Sequence, residues 1–431
     1  MKRSKMKPAI KVPSAKTTKA ILPKSVTSFR LNLIALVCLL SGLYCINIYQ
    51  GPDFGLSHTR FLVLKMCFLM FCWSLPIIIL EYFYFRRLKQ FDPSRLDIRR
   101  STIKTLALYF TLSIVALVYW IAPEYHSNFY SPYWELMRVV GPIVLIGSLP
   151  YFYLADGFIE DSKDSYYVLG LYIIGSRQDG QAAIIRNHFL GWLVKLFFLP
   201  LMAVYMYNTT RYFVSADPEK VFSSFRLFYQ FAWELIFAID LIIVTVGYLL
   251  TLKLLDSHIR TAEPTIGGWV AAIVCYEPFW AAVSASYLAY NKDNYSWGSW
   301  LGGNETAYLF WGSSILILIT IYSLSSIAFG IRFSNLTHRG IITNGPYRYS
   351  KHPAYISKNL SWWLIAIPFI FVNNNYTASL QACLMLLGVN VIYYIRAKTE
   401  ERHLSWDETY RQYAQAIEQQ GLFAKVKRVF S

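Results

Sequence analysis

Two stretches near the end of this 431-residue chain hold the residue types that do chemistry. Asn344-Gly345-Pro346-Tyr347-Arg348-Tyr349-Ser350-Lys351-His352-Pro353-Ala354-Tyr355 comes first, and Arg396-Ala397-Lys398-Thr399-Glu400-Glu401 follows. Both border apolar runs, where ionisable groups are costly unless they are paired or have work to do. On a helix Arg396 and Glu400 share one face, while Glu401 is turned about 100° away, so the two acids have different roles. A guanidinium orients an anion, a carboxylate holds a cation, and Glu401 or His403 is a candidate proton acceptor where the group acted on is an amine. Residue types alone also permit a plainer reading. Arg348 and Lys351 would then be the basic residues of an inner membrane face, and Tyr347, Tyr349 and Tyr355 interfacial anchors.

The elements that must position these groups are legible around them. Asn344-Gly345-Pro346 forces a turn, and Pro353 confines His352 to extended or turn geometry, so an ordered loop runs into a helix start. The apolar runs 359–372 and 376–395, separated by Val372-Asn373-Asn374-Asn375, read as a tight helical hairpin whose short first arm is tilted or crosses only in part. Such a hairpin returns Arg396 to the mouth that His352 opens.

The whole chain is 55% hydrophobic and only 15% charged, too apolar for an ordinary soluble domain. Its long apolar runs lack the alternation of barrel strands, which leaves an all-α, polytopic transmembrane bundle. About ten spans are expected, near 31–49, 61–84, 104–122, 134–154, 187–207, 227–254, 268–290, 306–330, 359–372 and 376–395. Lys and Arg concentrate in 1–30, 85–104, 331–358 and 396–431, which puts these segments and both termini in the cytoplasm. The net charge of +16 is therefore topological and implies no nucleic-acid partner. Residues 1–30 read as a disordered basic tail, 31–330 as a bundle of about eight helices without an assigned role, and 331–431 as the chemical region. Residues 155–186 form a long inside connection whose apolar piece, Tyr166 to Gly175, is too short to cross. All six cysteines fall in apolar runs and serve packing, and no metal-ligand spacing occurs.

Lys195, Asp240 and Glu277 sit within expected spans. They mark either a polar pathway or a structural pair, Lys195–Asp240 or Lys195–Glu277. No pair of broken helices in two halves supports a transporter, although a non-enzymatic transporter stays open.

The ordered set of Gly-Pro-Tyr, His-Pro-x-Tyr, a two-helix hairpin, Arg-x-x-x-Glu-Glu and the later Tyr410-x-x-Tyr413 resembles the isoprenylcysteine carboxyl methyltransferase family, over roughly residues 330–425. Lys351 stands where that family usually has Arg, and Trp406-Asp407 replaces an expected Phe-Gly. The resemblance implies a multi-pass membrane enzyme of the bacterial inner membrane or a eukaryotic endomembrane. It would use S-adenosyl-L-methionine on a cytoplasm-facing site. It also implies that His338, Gly340, Ile341, Ile342, Tyr347, His352, Pro353, Ala354, Tyr355 and Glu400 line the cofactor and that Arg396 faces a lipidic or prenylated acceptor, with Glu401 alongside. A carboxylate acceptor needs no general base, whereas an amine acceptor, as in phospholipid N-methyltransferases, does. An NADPH-dependent sterol-reductase-like enzyme is the remaining alternative, having about ten spans and a related His-Pro-x-Tyr hairpin.

Overall fold

A computed structural model describes residues 21–49, 55–85, 90–176, 179–292, 295–371 and 375–429. Residues 1–20, Arg86, Arg87, Lys89, Asn373 and Asn374, on which parts of the topology and hairpin expectations rest, lie outside these ranges. The chain is an all-α, multi-pass membrane protein. Among the described residues, eight helices are long and apolar enough to cross a bilayer: α1 (Phe29–Ile48), α2 (His58–Phe85), α3 (Ile98–Ile121), α4 (Ser131–Asp156), α6 (Gln181–Ser215), α8 (Phe225–Leu249), α12 (Glu305–Ala328) and α14 (Tyr376–Leu404). Between them lie α5 (Ser165–Ile173) and the single-turn helices α7 (Pro218–Val221), α10 (Phe279–Ala282) and α11 (Trp297–Trp300), together with α9 (Ile266–Ile273) and α13 (Pro353–Ala366). Two further helices, α15 (Glu408–Gln420) and α16 (Leu422–Val429), end the described chain.

Two of the ten expected spans are not single long helices. The run 268–290 is divided into α9, α10 and a π-type turn at Val283–Tyr287. Pro278 cannot continue the helical hydrogen bonding, and the Glu277 carboxylate instead accepts from Ala281 N at 3.1 Å, capping a new helix start. The first arm of the C-terminal hairpin is α13, 14 residues long and therefore about 21 Å. It stops where Ile367 adopts the left-handed conformation, φ +36°, immediately before Pro368. The nine-residue α5 fits the short apolar piece and packs so closely on α3 that a Cβ on Gly170 would come within 2.4 Å of Ile103 O.

The core lies where α1, α2, α6 and α8 meet, around Trp73, Leu69, Phe198 and Ile243. Large apolar side chains such as Phe83, Trp120, Ile143 and Ile146 point outward, as expected of surfaces that face lipid. Buried charges in this part of the molecule are closed on partners. Asp156 takes Lys104 Nζ and Arg100 Nε at 2.6 Å each, and Lys104 also reaches Asp164 at 3.0 Å. Glu81 on α2 pairs with Arg332 at 2.9 Å. Neither expected Lys195 pair forms: its ammonium donates to the Thr251 hydroxyl and lies 4.4 Å from the Trp192 ring centre. Asp240 instead accepts from Tyr322 Oη at 2.7 Å and from the Ser326 hydroxyl, both on α12.

Candidate active site

The loop from Gly330 to His352 is fastened from three directions. Inside, the Arg339 guanidinium is buried among main-chain carbonyls, including Gly247 and Phe333 at 2.7 and 2.8 Å. Along one edge, β1 (Thr261–Ala262) pairs antiparallel with β2 (Thr337–His338). Outside runs the segment before α1: Thr343 Oγ1 donates to Pro23 O at 2.7 Å, Asn344 Nδ2 to Thr27 O at 2.7 Å, and Val26 N to Ile341 O at 3.2 Å. Gly340, with φ +107°, lies so near Val26 that a Cβ would meet its methyls at 2.8 Å. Residues 21–28 therefore belong to the loop's packing, a correction to their expected role as disordered tail.

The amphipathic helix α15 covers the other side. Its buried Tyr410, Tyr413 and Ile417 pack on Ile341, and Tyr413 Oη donates to the carbonyls of Tyr347 and Ser350 at 2.8 and 3.1 Å. The Tyr410-x-x-Tyr413 spacing thus places two rings on one helix face against the loop.

Nine of the expected residues share a cavity of about 170 Å³: Gly340, Ile341, Ile342, Tyr347, His352, Ala354, Tyr355, Arg396 and Glu400. At its centre the Glu400 carboxylate accepts from Tyr355 Oη and lies 3.5 Å from Arg396 Nε. Tyr355 stacks on His352 at 5.6 Å between ring centres. Arg396 donates to Asn335 Oδ1 at 2.7 Å and sits 5.1 to 5.9 Å from the rings of Tyr355, Tyr276 and Tyr393. Asn335 is aimed by Tyr248 and Tyr276, whose oxygens accept from its amide at 2.8 and 3.1 Å.

His338, Pro353 and Glu401 are not in the cavity wall. His338 Nε2 lies 3.2 Å from Asp407 Oδ2 without hydrogen-bond alignment, and burial pushes the imidazole down to about 4 despite that carboxylate. Pro353 is buried as the first residue of α13. Glu401, rotated away from Glu400, is held by His352 Nε2 at 2.9 Å, Lys398 at 2.9 Å and Lys351 at 3.2 Å. Carrying three cationic or donor partners, it orients the loop and is poorly suited to accept a further proton.

Several wall residues carry no sequence signal of their own. Asn335, Tyr276, Tyr322 and Ser326 come from other elements, and Lys358 and Tyr393 are visible only as positions three residues from Tyr355 and Arg396 on their helices. Three wall atoms, Arg396 Nε, Thr337 Oγ1 and Tyr410 Oη, are buried without a hydrogen-bond partner. Burial drives the Tyr410 phenol well above its ordinary value, so its hydroxyl stays protonated and free to donate. Unpartnered buried donors are costly in a folded protein, and these three face one cavity.

Against known proteins, residues 307–406 match the isoprenylcysteine carboxyl methyltransferase family. The match runs from α12 through the loop and hairpin to the end of α14 and assigns this segment to a family of membrane methyltransferases. No curated protein and no solved structure matches the chain.

Proposed function

We propose that the protein transfers a methyl group from S-adenosyl-L-methionine to a lipidic acceptor, at a site on the cytoplasmic face of its membrane. The observation that carries this reading is the single cavity in which Glu400, Arg396, His352 and the unpartnered Tyr410 hydroxyl converge. The donor set suits that cofactor. Glu400 offers a carboxylate to its sulfonium or amine, His352 and loop N–H groups suit its carboxylate, and Tyr347, Tyr410 and Tyr413 offer aromatic faces to adenine. When bound, the cofactor supplies an electrophilic methyl on a positively charged sulfur.

The protein's own contribution is positional. Arg396, fixed by Asn335 and three tyrosine rings, would hold an anionic acceptor in line with the methyl, with Glu400 beside it to balance charge. A carboxylate is already ionised near neutral pH, so transfer to it needs no proton acceptor, in keeping with a Glu401 engaged elsewhere. The acceptor is a lipidic or prenylated carboxylate that enters from the bilayer.

Titration of the purified protein in detergent with S-adenosylmethionine, S-adenosylhomocysteine and NADPH tests the reading. Binding of both adenosyl ligands, weakened in Glu400→Ala and His352→Ala, is the expected result. Selective NADPH binding would replace the reading with a reductase.

A further inference from the structure

Part of the cavity wall, its Lys358 end, comes from elements other than the loop and holds Tyr276, Tyr322, Ser326, Lys358 and Tyr393. Tyr276 lies outside the family-matched segment and Asp240, which fixes two of these side chains, does too, so this end is partly built by the preceding bundle. Lys358 projects from α13 into a ring of aromatics, its ammonium 5.4 Å from the centres of Tyr322 and Trp362 and 5.7 Å from Tyr393. Ring faces attract the charge but accept none of its three N–H bonds in the manner of an oxygen. Among the described residues Lys358 makes no hydrogen bond from Nζ and no ion pair within 4 Å. The nearby hydroxyls of Tyr322 and Ser326 direct their protons to Asp240, whose charge acts on Lys358 from beyond ion-pair distance.

Lys358 is half-buried, and its ammonium lacks the oxygen partner that the other cations described above have. Lys104, Arg332 and Arg339 each have carboxylate or carbonyl partners, and Lys195 has a hydroxyl. A bare hydrocarbon chain filling this end would strip water from the Lys358 ammonium and give it nothing in return. An oxyanion would satisfy it and would face a second cation, Arg396, on the same Tyr393 ring, 5.9 Å from its centre.

We propose that the Lys358 end of the cavity is an anion subsite, in which Lys358 acts with Arg396 as a second cation for the charged head of an amphiphilic ligand, and is not a slot for a neutral chain. Calling this ligand the acceptor rests on the methyl-transfer reading; the subsite itself does not. A carboxylate and a phosphate monoester share the required chemistry.

The test uses the full chain in a neutral detergent, titrated calorimetrically with dodecanoate, dodecyl phosphate and dodecanol, with S-adenosylhomocysteine measured in parallel. One of the two anions should bind at least about tenfold more tightly than the alcohol, and the stronger one identifies the head group. Lys358→Met should cut that preference at least about tenfold, leaving only what Arg396 supplies, and leave S-adenosylhomocysteine binding unchanged, while Lys358→Arg retains the preference in full. Should Lys358→Met fail to fold, Lys358→Gln must show the same reduction in its place. Equal binding of anion and alcohol by the unaltered protein, or a preference undiminished in the neutral variant, overturns the proposal. Anion preference without S-adenosylhomocysteine binding would leave the subsite standing and remove the methyl-transfer reading alone.

Discussion

At the junction of α3, α4 and α5, Lys104 is enclosed by Asp156 and Asp164, with Arg100 completing the set. At the junction of α12, α13 and α14, Lys358 is enclosed by rings, Arg396 keeps one nitrogen without a hydrogen bond, and Tyr410 keeps its hydroxyl without one. Both regions set cations within an apolar bundle, yet Lys104 is fully buried and closed on carboxylates, whereas Lys358 is half-buried and set against rings that line a cavity. Within an apolar bundle a charge must be compensated by something, so the distinction between structural and functional charge lies in whether the protein itself supplies the partner.

That contrast fails if the closed cluster is not structural. Asp156→Ala would leave buried Lys104 with Asp164 alone and take from Arg100 its 2.6 Å partner, and should cost about 3–5 kcal/mol, read as a lowered thermal midpoint in detergent. Cofactor binding per folded molecule should be unaffected. An unchanged midpoint would mean that water or lipid compensates these cations as well as Asp156 does.

Glu400→Gln tests the open side, because the amide still accepts from Tyr355 but carries no charge. S-adenosylmethionine affinity should fall by roughly 10- to 100-fold, the range of a lost charge-assisted contact, with a much smaller change in midpoint than for Asp156→Ala. A midpoint loss as large as that of Asp156→Ala would place Glu400 among the structural charges.

Tyr410→Phe sharpens the comparison further, since it removes a buried hydroxyl that has no partner in the folded protein. Stability should stay level or rise by up to about 1 kcal/mol, while S-adenosylhomocysteine binding weakens. A clear loss of stability would show that the hydroxyl is already bonded without ligand.

The smallest effect concerns acid. His338 is held neutral by burial, down to about 4, so below about pH 6.5 the unfolded chain takes up a proton that the folded chain does not. Its contribution to stability is complete above that pH and is lost progressively as the pH falls towards 4. His258 is displaced by burial in the same direction, also to about 4. Midpoints measured between about pH 7 and 5 should fall less steeply in His338→Gln than in the unaltered protein. Equal slopes would remove His338 from the acid response.

Much of the chemical region was legible from spacing. Asn-Gly-Pro and His-Pro punctuate a loop, and the four-residue interval from Arg396 to Glu400 sets both on one helix face, because turns and helices are local structures. The different fate of Glu401 followed from the same geometry. Hydropathy summed over 268–290 hides the interruption at Pro278, so the run reads as one span. Apolar residues continue past the left-handed turn at Ile367, so hydropathy alone does not mark the end of α13. The packing of residues 21–28 on the 340–344 loop left no local trace, since the partners are more than three hundred positions apart.

By itself, then, the sequence determined an all-α membrane bundle, a C-terminal loop and hairpin, and the residue types gathered at their mouth. These follow from hydropathy and periodicity, which act over a few turns of chain. Only the tertiary structure decided which charges are already compensated. Lys104, Lys195 and Lys358 look alike as lysines in apolar runs, but their partners come from elements brought together by packing. Of the three, only Lys358 faces the shared cavity without a hydrogen-bonding partner of its own.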